Sequence, residues 1–365
     1  MSQHQWPSWL PLRADLAALS PYGAPQVPSL AQLNTNENPY PPSPQLVEAI
    51  LTRISEVAGT LNRYPDRDAT KLRAALAQFL NNISGTDLEM DQIWAANGSN
   101  EIIQSLFLAC ADRGALGFTP SYSMHPLIAR VAGVLWHEGD RREDFTLDIT
   151  DAVAQVLDLK PGLTFITTPN NPTGTSISID EISQLARACA SVSGLLIVDE
   201  AYAEFSRDIS ALTLIENNPN VVVIRTMSKA FAFAGVRLGY LAGHKELVSA
   251  MLLVRLPYHL STLTQAAAMA ALEFQEQSLA TVGTLRESRD RLAQALEDLG
   301  CTVVPSSANF LLFSVEHPNK MWRSLLDRGV LIRDVGLSGY LRVTVGNEAE
   351  NERFISALRQ SLGGK

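Results

Sequence analysis

Short apolar runs alternate along the chain with stretches whose apolar positions recur at helical spacing. Ile93-Trp94-Ala95-Ala96 reads as a strand, meets the turn Asn97-Gly98-Ser99-Asn100, and leads into a helix over EIIQSLFLACA. Leu163-Thr164-Phe165-Ile166 reads as a strand ending in TTPNNPTG. A helix from about Asp180 to Ala190 leads to the strand GLLIVDE, and VVVIRT, residues 221–226, runs into MSKAFAFAGVRLGY. Strands alternating with helices predict crossover units and a mostly parallel sheet. LLIV and VVVI lack polar alternation, so these strands should be covered on both faces. The interval from about 261 to 299 reads as helical, with an amphipathic repeat ending at Gly300. Short strands at TVV, ANFLLFSV and YLRVTVG, separated by a helix at MWRSLLDRG, predict a second, smaller α+β domain.

The front of the chain breaks this rhythm. PYGAPQVP and ENPYPPSP, within residues 21–44, cannot continue a helix. Residues 1–44 are therefore expected to form an arm packed over the body or over a second subunit. Residues 45–260 then make a large α/β domain and 261–365 a small C-terminal one. At 365 residues and 46% hydrophobic composition, the chain can bury a large core. Its formal charge, 29 basic minus 38 acidic residues or −9, argues against a nucleic-acid partner but leaves room for a local basic pocket. Cys110, Cys189 and Cys301 are scattered and odd in number; they predict neither a disulfide framework nor a metal site, and they fit a reducing compartment. No segment reaches the roughly 18 uninterrupted apolar residues that span a bilayer. The first residues carry prolines and charges where a signal peptide is apolar. A cytoplasmic protein with no membrane partner is expected.

Four features fall at the ends of predicted strands, where open parallel sheets bind ligands. Asn97-Gly98-Ser99-Asn100 opens a helix, whose unpaired N–H groups and dipole favour a phosphate. Pro169-Asn170-Asn171-Pro172-Thr173-Gly174 is a stiff turn that can aim an amide at a ligand. Asp199 ends an apolar strand, where a carboxylate needs a cationic partner, and Tyr202 follows three residues on. A Mg²⁺-binding acidic strand end would want a glycine-rich phosphate loop ending in Gly-Lys-Ser/Thr, and the sequence has none. Last, Ser228 and Lys229 follow the VVVI strand, with Arg237 eight residues further. A lysine partly desolvated in a cationic pocket has a lowered pKa and becomes a nucleophile or Schiff-base former.

Taken together, NPTG, then Asp199-Glu200-Ala201-Tyr202, then Ser228-Lys229 with Gly235 and Arg237, resemble the class I/II aminotransferases of the fold-type-I pyridoxal phosphate enzymes. The resemblance covers nearly the whole chain. It implies an α/β fold with a mostly parallel central sheet plus a smaller α+β domain, and pyridoxal 5'-phosphate as cofactor. It assigns Lys229 to the cofactor's aldehyde and to proton transfer, Asp199 to the pyridine nitrogen, and Tyr202 and Asn171 to the phenolic oxygen. Ser228, Arg237, Ser99 and Asn100 are assigned to the phosphate, and Tyr122 to stacking on the ring.

A finer resemblance is to the histidinol-phosphate aminotransferase family. It is carried by Leu12-Arg13-Ala14-Asp15-Leu16 through Pro21-Tyr22, Leu33-Asn34-Thr35-Asn36-Glu37-Asn38-Pro39, Asn62-Arg63-Tyr64-Pro65-Asp66, and the segments around Arg333 and Arg342. It implies ping-pong transamination between histidinol phosphate and 2-oxoglutarate, run in reverse in histidine biosynthesis. Arg333 and Arg342 would meet the substrates' phosphate and carboxylates, in either pairing. Asn38 would approach the substrate. Tyr64 would reach the cofactor phosphate of the neighbouring subunit of a homodimer with composite active sites. Close alternatives are an aromatic amino-acid aminotransferase or a threonine-phosphate decarboxylase; a remote one is a non-catalytic pyridoxal phosphate-binding regulator, although the arm carries no basic cluster. His125 and His259 are further candidates, each more often a packed or surface group.

Overall fold

The structure, a computed structural model, describes residues 6–19, 21 and 23–363. Its strands are β1 (Ala31–Gln32), β2 (Ile93–Ala96), β3 (Ala115–Thr119), β4 (Trp136–Asp140), β5 (Leu163–Thr167), β6 (Leu195–Asp199), β7 (Val221–Thr226), β8 (Gly239–Ala242), β9 (Phe310–Ser314), β10 (Val330–Leu331) and β11 (Tyr340–Thr344). Its α-helices are α1 (Ala14–Ala17), α2 (Pro44–Ala58), α3 (Thr70–Ser84), α4 (Ser99–Cys110), α5 (Met124–Ala132), α6 (Ile149–Leu159), α7 (Ile179–Ser191), α8 (Lys245–Val254), α9 (Thr262–Glu273), α10 (Gln275–Asp298), α11 (Pro318–Asp327) and α12 (Glu348–Leu362). Among the described residues no helix is long and apolar enough to cross a membrane.

Seven strands form one sheet in the order β2-β8-β7-β6-β5-β3-β4. The run from β4 to β7 is parallel, and β8 lies antiparallel between β7 and β2. β5 and β7 are buried along their whole length, as their unbroken apolar runs require. From β3 the chain steps outward to β4 and then returns to place β5 on the other side. That reversal opens a crevice at the carboxyl ends of the strands. Because β2 runs in the same sense as β7, its carboxyl end and the amino end of β8 lie on that same edge.

Beyond this sheet, β9 pairs antiparallel with β11, and β1 pairs parallel with β10. The expected surface arm therefore turns inward at its end. Ala31 and Gln32 pair with Val330 and Leu331, and Leu33, Asn34 and Asn36 are buried. Ser43 then caps α2 by accepting from the Leu46 N–H, with Pro44 at the first helical position. The strand expected at TVV is a single bridge, Val303 to Phe313, since Pro305 has no N–H to extend a ladder. The expected helical interval breaks at Phe274. α9 packs on α2 and α3, whereas α10 runs from the Ala203–Phe205 turn beside β6 to β9 and α12, so we propose that α10 links a large domain to a small one.

One charge stands inside the buried β7. Arg225 donates through Nε to Glu200 at 2.9 Å, through Nη1 to Glu204 at 2.9 Å and through Nη2 to Ser210 at 3.0 Å. Glu200 also accepts from the Ala211 N–H, so the network ties the segment carrying Tyr202 to the sheet. Burial opposes the charge on Arg225, but the two carboxylates outweigh it and hold its pKa above the usual value. Arg225→Ala would strand both carboxylates in the core and should destabilise the protein by about 3–5 kcal/mol. A thermal unfolding midpoint within a degree of wild type would contradict that.

Candidate active site

The carboxyl ends of β3, β5, β6 and β7 open into one cavity of about 410 Å³. Ser99, Asn100, Tyr122, Asn171, Asp199, Tyr202, Ser228, Lys229, Arg237, Arg333 and Arg342 all line it, brought together from both sides of the molecule. The strands deliver them by ending: Asp199 is the last residue of β6, and Ser228 and Lys229 follow β7.

One end of the cavity is an anion cradle. Gly98, at φ 83°, turns the chain from β2 into α4 and leaves the helix start without a side-chain cap. A Cβ at Gly98 would come 2.7 Å from Arg237 Nη2, and one at Gly239 would come 2.4 Å from the Ser99 nitrogen. Both glycines thus let β8, α4 and the guanidinium close on one point. Arg237 donates to Ser228 Oγ at 3.4 Å and to the Ala234 carbonyl at 3.0 Å. Thr226 fixes Ser228 in turn: its hydroxyl donates to Ser228 Oγ at 3.0 Å and accepts the Ser228 N–H at 3.1 Å. First-turn N–H groups, a hydroxyl and a guanidinium facing one volume could hold a phosphate.

In the middle sit the acid and the amine. Asp199 is buried; its Oδ1 accepts the Ala201 N–H at 3.2 Å and its Oδ2 lies 3.1 Å from His125 Nε2. Lys229 Nζ donates to the Thr35 carbonyl at 2.8 Å. Burial first, then the charge of Arg342 and that of Arg237, push its pKa down to about 8, with Glu37 opposing. A fraction of this amine is therefore free base near neutral pH. Tyr122 donates its hydroxyl to Asn100 Oδ1 at 3.2 Å, and its ring meets His125 edge-on.

The far wall carries the other two cations. Arg333 and Arg342 face each other across a backbone bridge, each N–H bonded to the other's carbonyl at 3.0 Å. Arg342 is buried over the Phe310 ring, donates to the Asn34 carbonyl at 2.9 Å and makes a short hydrogen bond to Asn171 Oδ1. The local basic pocket that an acidic chain still allowed is this one.

Of the residues the sequence singled out, Asn38, Tyr64, His125 and His259 do not line the cavity. Asn38 is engaged elsewhere: its amide donates to the Ala230 carbonyl and to Thr281 Oγ1, and its Oδ1 accepts the Tyr40 N–H. The arm instead places Thr35, Asn36 and Glu37 on the cavity wall. Tyr64 is 79% exposed and stacks on Tyr258 with centroids 4.4 Å apart. His259 bonds the Ala95 carbonyl and packs on Trp94, outside the site. His125, by contrast, backs Asp199; its place three residues after Tyr122 in PSYSMH was its one signal. Tyr22, part of the arm's resemblance, lies outside the described residues.

A doubly wound sheet whose strand ends bring an amine, a buried acid and a phosphate cradle to one cavity defines the pyridoxal phosphate enzymes of fold type I. Residues 28–358 match the family described as aminotransferase class I and II. A histidinol-phosphate aminotransferase of Mycobacterium sp. (strain JLS) is 52% identical over 353 residues, 95% of this chain and 93% of that protein. One from Rhodococcus opacus (strain B4) is 53% identical over 352 residues, 95% and 92% of the two chains. The solved histidinol-phosphate aminotransferase of Sinorhizobium meliloti, in complex with pyridoxal 5'-phosphate, matches with TM-score 0.85 over 97% of this chain and 98% of that one; at 24% identity the likeness is one of fold. The chain belongs to the class I and II aminotransferases, in the histidinol-phosphate aminotransferase family.

Proposed function

We propose that the protein transfers an amino group between histidinol phosphate and 2-oxoglutarate, giving imidazole-acetol phosphate and glutamate, and works in the reverse direction in histidine biosynthesis. The observation that carries this reading is the one cavity that Lys229 and Asp199 line together with Arg237 and with Arg333 and Arg342.

Pyridoxal 5'-phosphate fits this donor set. The Gly98–Gly239 closure, which a Cβ at either position would fill, leaves room for its phosphate on Ser99, Asn100, Ser228 and Arg237. When bound, the cofactor supplies an aldehyde that receives the amino group and a ring that takes up electrons released at the substrate's Cα. Asp199 would hold positive charge on the pyridine nitrogen, with its carboxylate kept in place by His125 and the Ala201 N–H. Tyr202 and Asn171 would orient the ring through its phenolic oxygen, and Tyr122 would pack against its face. Lys229 is the amine that would hold the aldehyde, and its free base would take up and return the proton at the substrate's Cα. Arg333 and Arg342 bind the substrate anions, a phosphate in one half-reaction and carboxylates in the other. Because one site serves both half-reactions, the order is ping-pong.

The working unit in this reading is a cytoplasmic homodimer, with Tyr64 on the cofactor phosphate of the neighbouring subunit. The exposure of Tyr64, together with that of Leu61, Leu256 and Tyr258, supports it. One assay tests the reaction: histidinol phosphate with 2-oxoglutarate should yield glutamate. Histidinol without its phosphate should lose about a hundredfold in kcat/KM, the worth of one charge-assisted anion contact. Carbon dioxide from phosphothreonine, with no glutamate from histidinol phosphate, would replace this reading with a decarboxylase.

A further inference from the structure

We propose that Asn36, a residue of the arm, is a positioning residue that fixes the direction of the Tyr202 hydroxyl proton. This rests on the functional reading above, in which Tyr202 faces the cofactor's phenolic oxygen.

Asn36 is 1% exposed and sits at φ 56°, a left-handed conformation that asparagine tolerates. Its surroundings leave its amide one orientation. The Asn36 N–H donates to Thr344 Oγ1 at 3.0 Å, so the Thr344 hydroxyl turns its own hydrogen onward, to Asn36 Oδ1 at 3.0 Å. With Oδ1 taken as an acceptor, Nδ2 faces Tyr202 and donates to its oxygen at 2.9 Å. The Asn36 carbonyl accepts from Asn309 Nδ2 at 3.1 Å, which pins the backbone as well. On the other side, Asn171 turns its Nδ2 toward the same oxygen at 3.5 Å, since its Oδ1 accepts from Arg342.

An oxygen that receives N–H protons keeps its own hydrogen for donation, and Tyr202 lines the cavity. Asn36 also bonds Thr344 of β11 and Asn309 ahead of β9, while Tyr202 follows β6. The donor state of Tyr202 therefore depends on the arm and the small unit being docked on the sheet. Nothing in the sequence of Tyr202's own segment could reveal that dependence.

The test uses the full chain loaded with pyridoxal 5'-phosphate, and reads the pH midpoint of its visible absorbance, which is independent of turnover. Losing a hydrogen bond onto the cofactor's phenolic oxygen destabilises its anionic form, so the midpoint should rise. Asn36→Gly keeps the left-handed backbone and removes only the amide; it should raise the midpoint by about half a unit to one unit, the worth of one such bond. Asn36→Asp offers Tyr202 an acceptor in place of a donor and should raise it further. In a Tyr202→Phe background Asn36→Gly should add nothing. An unmoved midpoint in the single variant, or an equal rise in the Phe background, overturns the proposal. Should Asn36→Gly fail to fold, Thr344→Val, which frees the amide to turn, must raise the midpoint, and an unmoved one overturns it. A wild-type chain that takes up no pyridoxal phosphate overturns the functional reading along with this one; a normal wild-type band with unmoved variants overturns this one alone.

Discussion

Lys229→Ala should abolish transamination, lowering kcat by about 10⁴-fold or more, and the purified protein should lose the visible absorbance of the lysine-bound cofactor. The size of the effect follows from the two jobs proposed for the residue, since one amine would both hold the aldehyde and move the Cα proton. The variant should fold, because among the described residues the Lys229 amine donates to one carbonyl, that of Thr35, and its charge is unwelcome where it sits. The sign of that unwelcomeness gives a second readout. With a pKa lowered to about 8, the free-base fraction of wild-type Lys229 rises about tenfold per pH unit below pH 8 and levels off above it. Capture of added pyridoxal phosphate by the stripped protein should follow that curve. A variant with wild-type rate and colour, or a capture rate still climbing through pH 10, would remove Lys229 from its role.

How much of this was legible before any coordinates depends on how local the cause is. β5, β6 and β7 announce themselves because a strand covered on both faces must be apolar throughout, and LTFIT, LLIVD and VVVIRT are nearly so. β4 does not: WHEGD is an edge strand, paired on one side to β3, and tolerates polar residues that mask its period. Site residues at strand ends were equally legible, since a carboxylate or lysine abutting an apolar run has to be explained by a ligand or a partner. What stayed hidden depends on long-range placement. Asn36 and Asn38 are both asparagines of one proline-bounded segment, and only the folded arm shows that Asn36 turns into the cavity while Asn38 is spent on Ala230 and Thr281. Arg225 inside VVVIRT is similar: its partners Glu200 and Glu204 lie on the neighbouring chain segment, and nothing beside it in sequence predicts them.

Asp199→Asn should slow Cα deprotonation by about 10²–10⁴-fold while sparing the fold and most of the cofactor affinity. The substitution is nearly isosteric. An amide oxygen can still accept the Ala201 N–H, and the phosphate cradle of Ser99, Asn100, Ser228 and Arg237 is untouched. What disappears is the negative charge that favours a protonated pyridine nitrogen. Without it the ring loses much of its capacity to take up the electron pair left at Cα. The cavity makes this loss costly, because Asp199 is buried and no solvent can replace its charge. Glu37 and Asp334 also line this space, but Glu37 already opposes the cations around Lys229 and neither follows β6, so neither stands where Asp199 does. The effect should therefore fall on the chemical step and not on substrate capture, which the proposed function gives to the arginines. Single-turnover mixing of the loaded variant with histidinol phosphate separates the two: the observed rate at saturation should fall while the concentration giving half-saturation stays within a few fold. A saturating rate equal to wild type would show that the charge at position 199 is not what drives proton removal, and the assignment of Asp199 would fall with it.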